Sequence, residues 1–359
     1  MSRNIMTNRR LPDETELALR NTGEGKLLFT VYEEHPCALL LQDNRLTAAA
    51  FFPAKSSKMG GIYIGRIRDA VKNMDAYFVE IQKGEICFLS GREARQPVLT
   101  GRNYDGRLLQ GDELVVRVIK DAQKTKLPML SANFAQKEEY EAVLKKAGHK
   151  TCFTCLQEPP SSWQSACSQL AKEEEYTELI TDDSQLYPEL VEYAKTQLPG
   201  KKVRLYEDTS FSLSMLYSLK TKLEGALEKR VWLKSGAYLI IEPTEALTVI
   251  DVNSGKCTAK KSCEEYYLQI NREAAREIAL QLRLRNLSGM ILVDFINMKS
   301  RKNQEALLQY MRELLKDSMV KTSAVDMTPL GLMEITRQKK SRPLHEQARA
   351  VGIWQGKEV

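Results

Sequence analysis

Two short apolar runs in the C-terminal half each carry one aspartate where a buried strand is ordinarily hydrophobic. They are Leu247-Thr248-Val249-Ile250-Asp251-Val252-Asn253 and Met290-Ile291-Leu292-Val293-Asp294-Phe295-Ile296. An ionised carboxylate is costly to bury alone, so such a group is paired, protonated or bound to a cation. Two of them, each near the end of a β-branched run, supply hard oxygen ligands of the kind Mg²⁺ or Mn²⁺ takes. Between the runs, Glu264 to Arg285 places Tyr267, Ile270, Ala274, Ile278 and Leu282 on one helical face. Ser288-Gly289 ends that helix, and another amphipathic helix runs from Arg301 to Asp317. This strand–helix–strand–helix order predicts an α/β layer.

At 359 residues the chain is too long for one ordinary core. Residues 1–24 read as a flexible lead-in. Leu27–Tyr32 and Ala38–Leu41 read as strands, with Asp43-Asn44 as a turn, and Lys55–Gly61 as a joint. Ile62–Arg68, Ala76–Ile81, Glu85–Leu89 and Glu113–Lys120 then have the regular spacing of a small β-barrel. Helical patterning follows over Ala132–Lys146. The next stretch reads as a connector, with Cys152, Cys155, the acidic run Glu173–Glu175 and a helix over Tyr187–Thr196. A helix over Ser214–Lys229 and a hairpin turning at Ser235-Gly236 lead into the first aspartate run.

Several classes drop out. Met1 to Arg20 has no apolar core of a secretory signal, and no stretch approaches the ~18 uninterrupted apolar residues of a membrane helix. Seven cysteines at irregular spacing fit a reducing cytoplasm better than a disulfide framework. Cys152 and Cys155 form a lone C-x-x-C without a second ligand pair, so zinc is not expected. The excess of 53 basic over 47 acidic residues is mild, and a nucleic-acid partner has to be argued from local clusters.

Asp251 and Asn253 alternate onto the same side of a strand, and Gly255 permits a sharp turn after them. The plainer reading makes Asp251 and Asp294 helix caps. Their shared place at the ends of consecutive strands favours a ligand site. Arg272, Arg276, Arg283 and Arg285 lie along the intervening helix, and Arg337-Gln338-Lys339-Lys340-Ser341-Arg342 adds a basic tail. In the barrel region, Tyr77-Phe78 and Phe88 stand near Lys120, Lys124 and Lys126. Such interleaving suits base stacking on an OB-type barrel, the alternative being that the rings fill its core.

The blocks Glu245–Gly255, Asn271–Ala279, Gln281–Asn286, Gly289–Ile296 and Gly331–Gln338 resemble the ribonuclease E/G family, as do Tyr63–Ile67 and Asp75–Val79. The resemblance runs from about Lys26 to Leu344 and thins between 128 and 200. It implies an α+β multidomain chain: an OB-type β-barrel inserted in an RNase H-like fold, followed by a DNase I-like α/β catalytic domain. The implied boundaries are RNase H-like parts at 25–57 and 200–241, an OB-type RNA-binding domain at 58–127, a reduced sensor or connector at 128–199, a catalytic domain at 242–347 and a tail at 348–359. It further implies a cytoplasmic, Mg²⁺-dependent endoribonuclease, with Mn²⁺ as a substitute, that cuts single-stranded RNA in ribosomal RNA processing or messenger RNA decay and leaves 5′-phosphate ends. An RNA-binding adaptor of the same fold is the rival reading. Asp251 and Asp294 fall on the metal-binding positions, Asn253 on the assisting asparagine and Arg337 on a catalytic basic residue. Phe78, Phe88 and Lys126 fall on positions that grip RNA, with Lys120 beside them. Two features depart from the family. Lys150–Cys155 contains no Arg-Thr pair of the kind that senses a 5′-monophosphate, and the C-terminal C-P-x-C motif that joins protomers through zinc is missing, so a homodimer would form without that link.

Overall fold

The computed structural model describes residues 25–52, 57–122, 126–134, 137–148, 150–171, 175–255 and 263–354. The lead-in 1–24, Lys55, Lys124, Glu173-Glu174 and the end of the tail, 355–359, lie outside those residues. The chain forms two compact units, one from residues 1–52 and 166–359, the other from residues 53–165.

The first unit begins with an antiparallel meander of β1 (Lys26–Tyr32), β2 (His35–Gln42) and β3 (Arg45–Phe51). Its turns, Glu33-Glu34 and Asp43-Asn44, take positive φ at both residues, the geometry that matches the right-handed twist of a hairpin.

The second unit contains β4 (Ile62–Val71), β5 (Ala76–Gln82), β6 (Glu85–Ser90), β7 (Glu113–Lys120), β8 (Met129–Ser131) and β9 (Cys155–Gln157). Pairing runs β4–β5–β6–β8–β7 and back to β4, which closes a five-stranded barrel, and β9 adds to β4. Ile67, Val79, Ile81, Cys87, Leu89, Leu114, Val116, Val118 and Leu130 fill it. The closing strand β8 is one that sequence patterning misses. Three residues are too few to show a period of two, and the helix expected from Ala132 begins only at Lys137 as α1 (Lys137–Ala147). Ala132 and Phe134 are buried instead. The helix α2 (Ser162–Leu170) follows.

In the first unit, β10 (Glu178–Thr181) and β11 (Lys202–Leu205) add parallel strands to the meander, giving the order β11-β10-β1-β2-β3. The stretch read as a connector with a helix thus also contributes a strand, β10. Leu179 and Ile180 form a central strand too short to stand out from its polar flanks. α3 (Leu186–Gln197) joins the two strands. The helix expected over Ser214–Lys229 is two, α4 (Leu213–Leu216) and α5 (Leu219–Leu227), broken where Ser218 takes φ 50°.

A second sheet of this unit has the order β12-β13-β14-β15-β17-β16. Its strands are β12 (Arg230–Trp232), β13 (Tyr238–Pro243), β14 (Thr248–Asn253), β15 (Gly289–Asp294), β16 (Thr322–Met327) and β17 (Leu332–Arg337). α6 (Cys263–Leu284) and α7 (Arg301–Lys316) supply the second layer, and α8 (Leu344–Ala350) closes the described chain. Leu239, Ile241, Ile250, Val252, Ile291, Val293, Met333 and Ile335 form the sheet's share of the core, against Ile270, Ala274, Ile278, Leu307 and Met311 from the helices. The alternate residues of each strand therefore occupy the opposite, open face.

Candidate active site

Alternation fixes where the two aspartates point. Ile250 and Val252 are buried under the helices, so Asp251 and Asn253 project from the open face; Val293 does the same for Asp294. In the parallel β14–β15 ladder Asp251 lies directly opposite Asp294, one strand spacing, roughly 4.8 Å, away. Asp251 is half-buried and Asp294 exposed, which corrects the premise of two buried charges. The carboxylates break the apolar pattern because they stand on the uncovered face at the strands' carboxyl ends. Partial loss of water around the carboxyl, exposed though the residue is, and the neighbouring Asp251 charge both raise Asp294 above its usual range. Asn253 Nδ2 donates to Asp251 Oδ2 at 2.6 Å and orients that carboxylate. Gly255 takes φ 64°, and a Cβ there would stand 2.5 Å from the Gly236 carbonyl oxygen, so the turn after Asn253 needs glycine. Helix α7 is capped by Ser300, whose hydroxyl accepts from the Asn303 N–H, which leaves Asp294 free of that duty.

Asn271 is a positioning residue that sequence reasoning passed over. It is fully buried on α6, its Nδ2 donating to the Ile296 carbonyl at 2.8 Å and its Oδ1 accepting from the Ile296 N–H at 3.0 Å. One amide side chain thus satisfies both backbone groups of a residue two places beyond Asp294. The signal was present: position 271 is four after Tyr267 and three before Ala274, a polar residue on an apolar stripe. Glu264 reinforces the same loop by accepting from the Ser300 N–H at 2.7 Å, and that bond holds its carboxyl below the usual range.

The basic residues expected beside the aspartates lie elsewhere. Arg337 pairs opposite Gly289, at the far end of β15 from Asp294 and about 16 Å along it at the rise of a strand. It is 4% exposed, and its Nη1 donates to Asn286 Oδ1 at 2.8 Å and to the Leu287 carbonyl at 2.9 Å. The structure does not bring it to the carboxylates. The tail after Arg337 starts from that same far end. Arg285 is buried and donates to Gln281 Oε1 and the Glu228 carbonyl, and burial pulls its pKa down to about 10. Arg272 and Arg276 lie over the Tyr310 ring, on the helical layer. Arg283 Nε reaches the Thr47 carbonyl at 3.5 Å. α6 packs on the face opposite Asp251, so its arginines stand on the helical side of the sheet.

On the barrel unit, Val79, Ile81, Cys87 and Leu89 point inward, so Phe78 and Phe88 point out. They are directly paired, half-exposed, and edge-to-face with centroids 6.2 Å apart. Phe88 also pairs with Met129, and Met129 with Lys120, because a register shift between Val118 and Lys120 turns the lysine outward. Phe78, Phe88, Met129 and Lys120 therefore form one row across four strands. Lys126 is exposed farther along the chain. Cys152 and Cys155 are half-buried, and burial pushes both thiols up.

A sequence model of the ribonuclease E/G family matches residues 108–340. The chain belongs to that family. Among curated members it is similar to ribonuclease G of Salmonella typhimurium, 27% identical over a match that covers 80% of this chain and 74% of that protein. It is 46% identical to ribonuclease E of Nostoc over 130 residues, 36% of this chain but 19% of the relative. Ribonuclease G of Haemophilus influenzae is 38% identical over 170 residues, 46% of this chain and 34% of the relative. The family match spans β14 and β15 with both aspartates, and among the described residues no helix is long and apolar enough to cross a membrane.

Proposed function

We propose that this family member is a divalent-cation-dependent endoribonuclease that hydrolyses single-stranded RNA. The observation that carries the reading is the direct pairing of Asp251 with Asp294 on the open face, with Asn253 bonded to the first. Two carboxylates one strand apart repel each other, and a shared cation removes that cost. Among the described residues no third His, Cys, Asp or Glu joins them in a metal-binding group. That donor set fits Mg²⁺ or Mn²⁺, which are held by one or two carboxylates and otherwise by water and substrate phosphate. Asp251 and Asp294 would hold the ion.

When bound, such an ion lowers the pKa of water and offsets negative charge on the phosphoryl oxygens. Asn253 fixes the Asp251 carboxylate, and Asn271 and Glu264 fix the loop beyond Asp294, so the two groups are held in place before substrate arrives. Water adds to phosphorus and the 3′-oxygen of the upstream nucleotide leaves, which yields a 3′-hydroxyl and a downstream 5′-phosphate. On this reading the barrel is the RNA-binding module, with Phe78 and Phe88 as stacking surfaces and Lys120 and Lys126 as backbone contacts. Residues 242–347 are the DNase I-like catalytic part and 25–57 with 200–241 the RNase H-like part, which here extends to β10.

The test is cleavage of an end-labelled single-stranded oligonucleotide with Mg²⁺ and with EDTA, mapping the new 5′ ends. Cutting that persists in EDTA, or that leaves 5′-hydroxyl ends, overturns the proposal.

A further inference from the structure

The open face beside the carboxylates carries an aromatic cluster that the cation site does not use. Val231 packs toward the core, so Arg230 and Trp232 of β12 project to the open side. Register then sets out two neighbouring rows. Arg230 pairs with Ile240, Ile240 with Asp251, and Asp251 with Asp294; Trp232 pairs with Tyr238, and Tyr238 with Asn253. The Trp232 and Tyr238 rings lie 5.1 Å apart at 57°. The Arg230 guanidinium stands 5.6 Å from the first ring centroid and 4.8 Å from the second. Trp232 nonetheless stays 62% exposed. Most of the indole surface is therefore open to a ligand, and a buried tryptophan ordinarily gives its apolar body to a neighbour.

We propose that Trp232, Tyr238 and Arg230 form a nucleobase subsite of the catalytic unit. An unpaired base of the RNA, from a nucleotide flanking the cut, stacks on the open face of Trp232, and Arg230 meets its phosphate. Tyr238 backs the indole and holds its plane. The site lies two strands, roughly 10 Å, from the Asp251 column, within reach of a nucleotide adjoining the scissile phosphate. Stacking on an aromatic face accepts every base, and a guanidinium beside the ring adds attraction for the backbone. The subsite rests on the reading of Asp251 and Asp294 as the cleavage centre.

The experiment is a fluorescence titration of the full chain in EDTA with a single-stranded RNA oligonucleotide, run beside inorganic polyphosphate. Quenching by RNA that polyphosphate does not reproduce, and that disappears in Trp232→Phe, is the expected result. In Mg²⁺, Trp232→Ala raises KM about tenfold, and Trp232→Phe restores most of the loss. Equal quenching in Trp232→Phe, equal quenching by polyphosphate, or an unchanged KM in Trp232→Ala overturns the subsite. The cleavage reading fails separately: full activity in Asp251→Asn defeats it whatever the titration shows.

Discussion

Asp251 and Asp294 face each other across the parallel β14–β15 ladder with no residue between them, and the neighbouring Asp251 charge helps raise the Asp294 carboxyl above its usual range. That pairing costs stability when no counter-charge is present. Asp294→Asn should therefore melt at or slightly above the wild-type temperature in EDTA, since like charges directly opposite each other are destabilising. Added Mn²⁺ should raise the wild-type melting temperature and leave the variant where it was. Activity should fall by about 10²-fold or more in both Asp251→Asn and Asp294→Asn, the scale of losing one charge-stabilising group. A variant that melts normally and cuts at the wild-type rate contradicts the site.

Arg337 gives the opposite pattern. Its guanidinium is buried and bonded to Asn286 and Leu287. Arg337→Ala leaves those acceptors without this donor, and a loss of about 2–4 kcal/mol is expected from urea unfolding. A folded variant with unchanged stability and lost kcat would instead return Arg337 to the catalytic machinery.

Along the barrel row, Phe78→Ala and Phe88→Ala should each weaken single-stranded RNA binding by about 1–3 kcal/mol with little salt dependence. Lys120→Ala should weaken it less at high salt than at low salt and flatten the salt slope by about one unit. Filter binding across a salt series separates the two behaviours. Identical slopes for Lys120→Ala and wild type would remove the lysine from the contact surface.

Acid should loosen the barrel unit through Asp112. The Arg102 guanidinium grips both its oxygens, at 2.9 and 2.7 Å, and the Leu109 N–H adds a third bond, so the carboxyl sits below its usual range despite partial burial. A depressed carboxyl contributes stability that is complete above its unfolded pKa, near 4, and is lost as pH falls through the lower folded value. Asp112→Asn should thus be less stable than wild type at pH 7, with the gap closing below pH 4. Thermal melts from pH 7 to pH 3 check this, and a gap independent of pH would assign the effect to packing.

Legibility followed the length and parity of each pattern. The aspartate pair was readable because one charge in a run such as Met290–Ile296 violates a simple rule, and the α6 stripe because it spans six turns. Which way Phe78 pointed was not readable, since alternation places residues on two faces without saying which is inside. Arg337 shows the reverse error. Met333, Ile335 and Arg337 share one parity, so the strand already implied an inward arginine, but the dense basic tail after it drew the residue into an exposed group. β8 and β10, at three and four residues, were too short to carry any period.

The alternation along β13, β14 and β15 also divides the work of these strands between two sets of positions that never overlap. Leu239, Ile241, Ile250, Ile291 and Val293 answer to the helices, whereas Tyr238, Ile240, Val249 and Leu292 lie on the open face, among their neighbours there and whatever approaches from solvent. Substitutions in the second set can redraw the contact surface around Asp251 and Asp294 while the packed layer stays as it is.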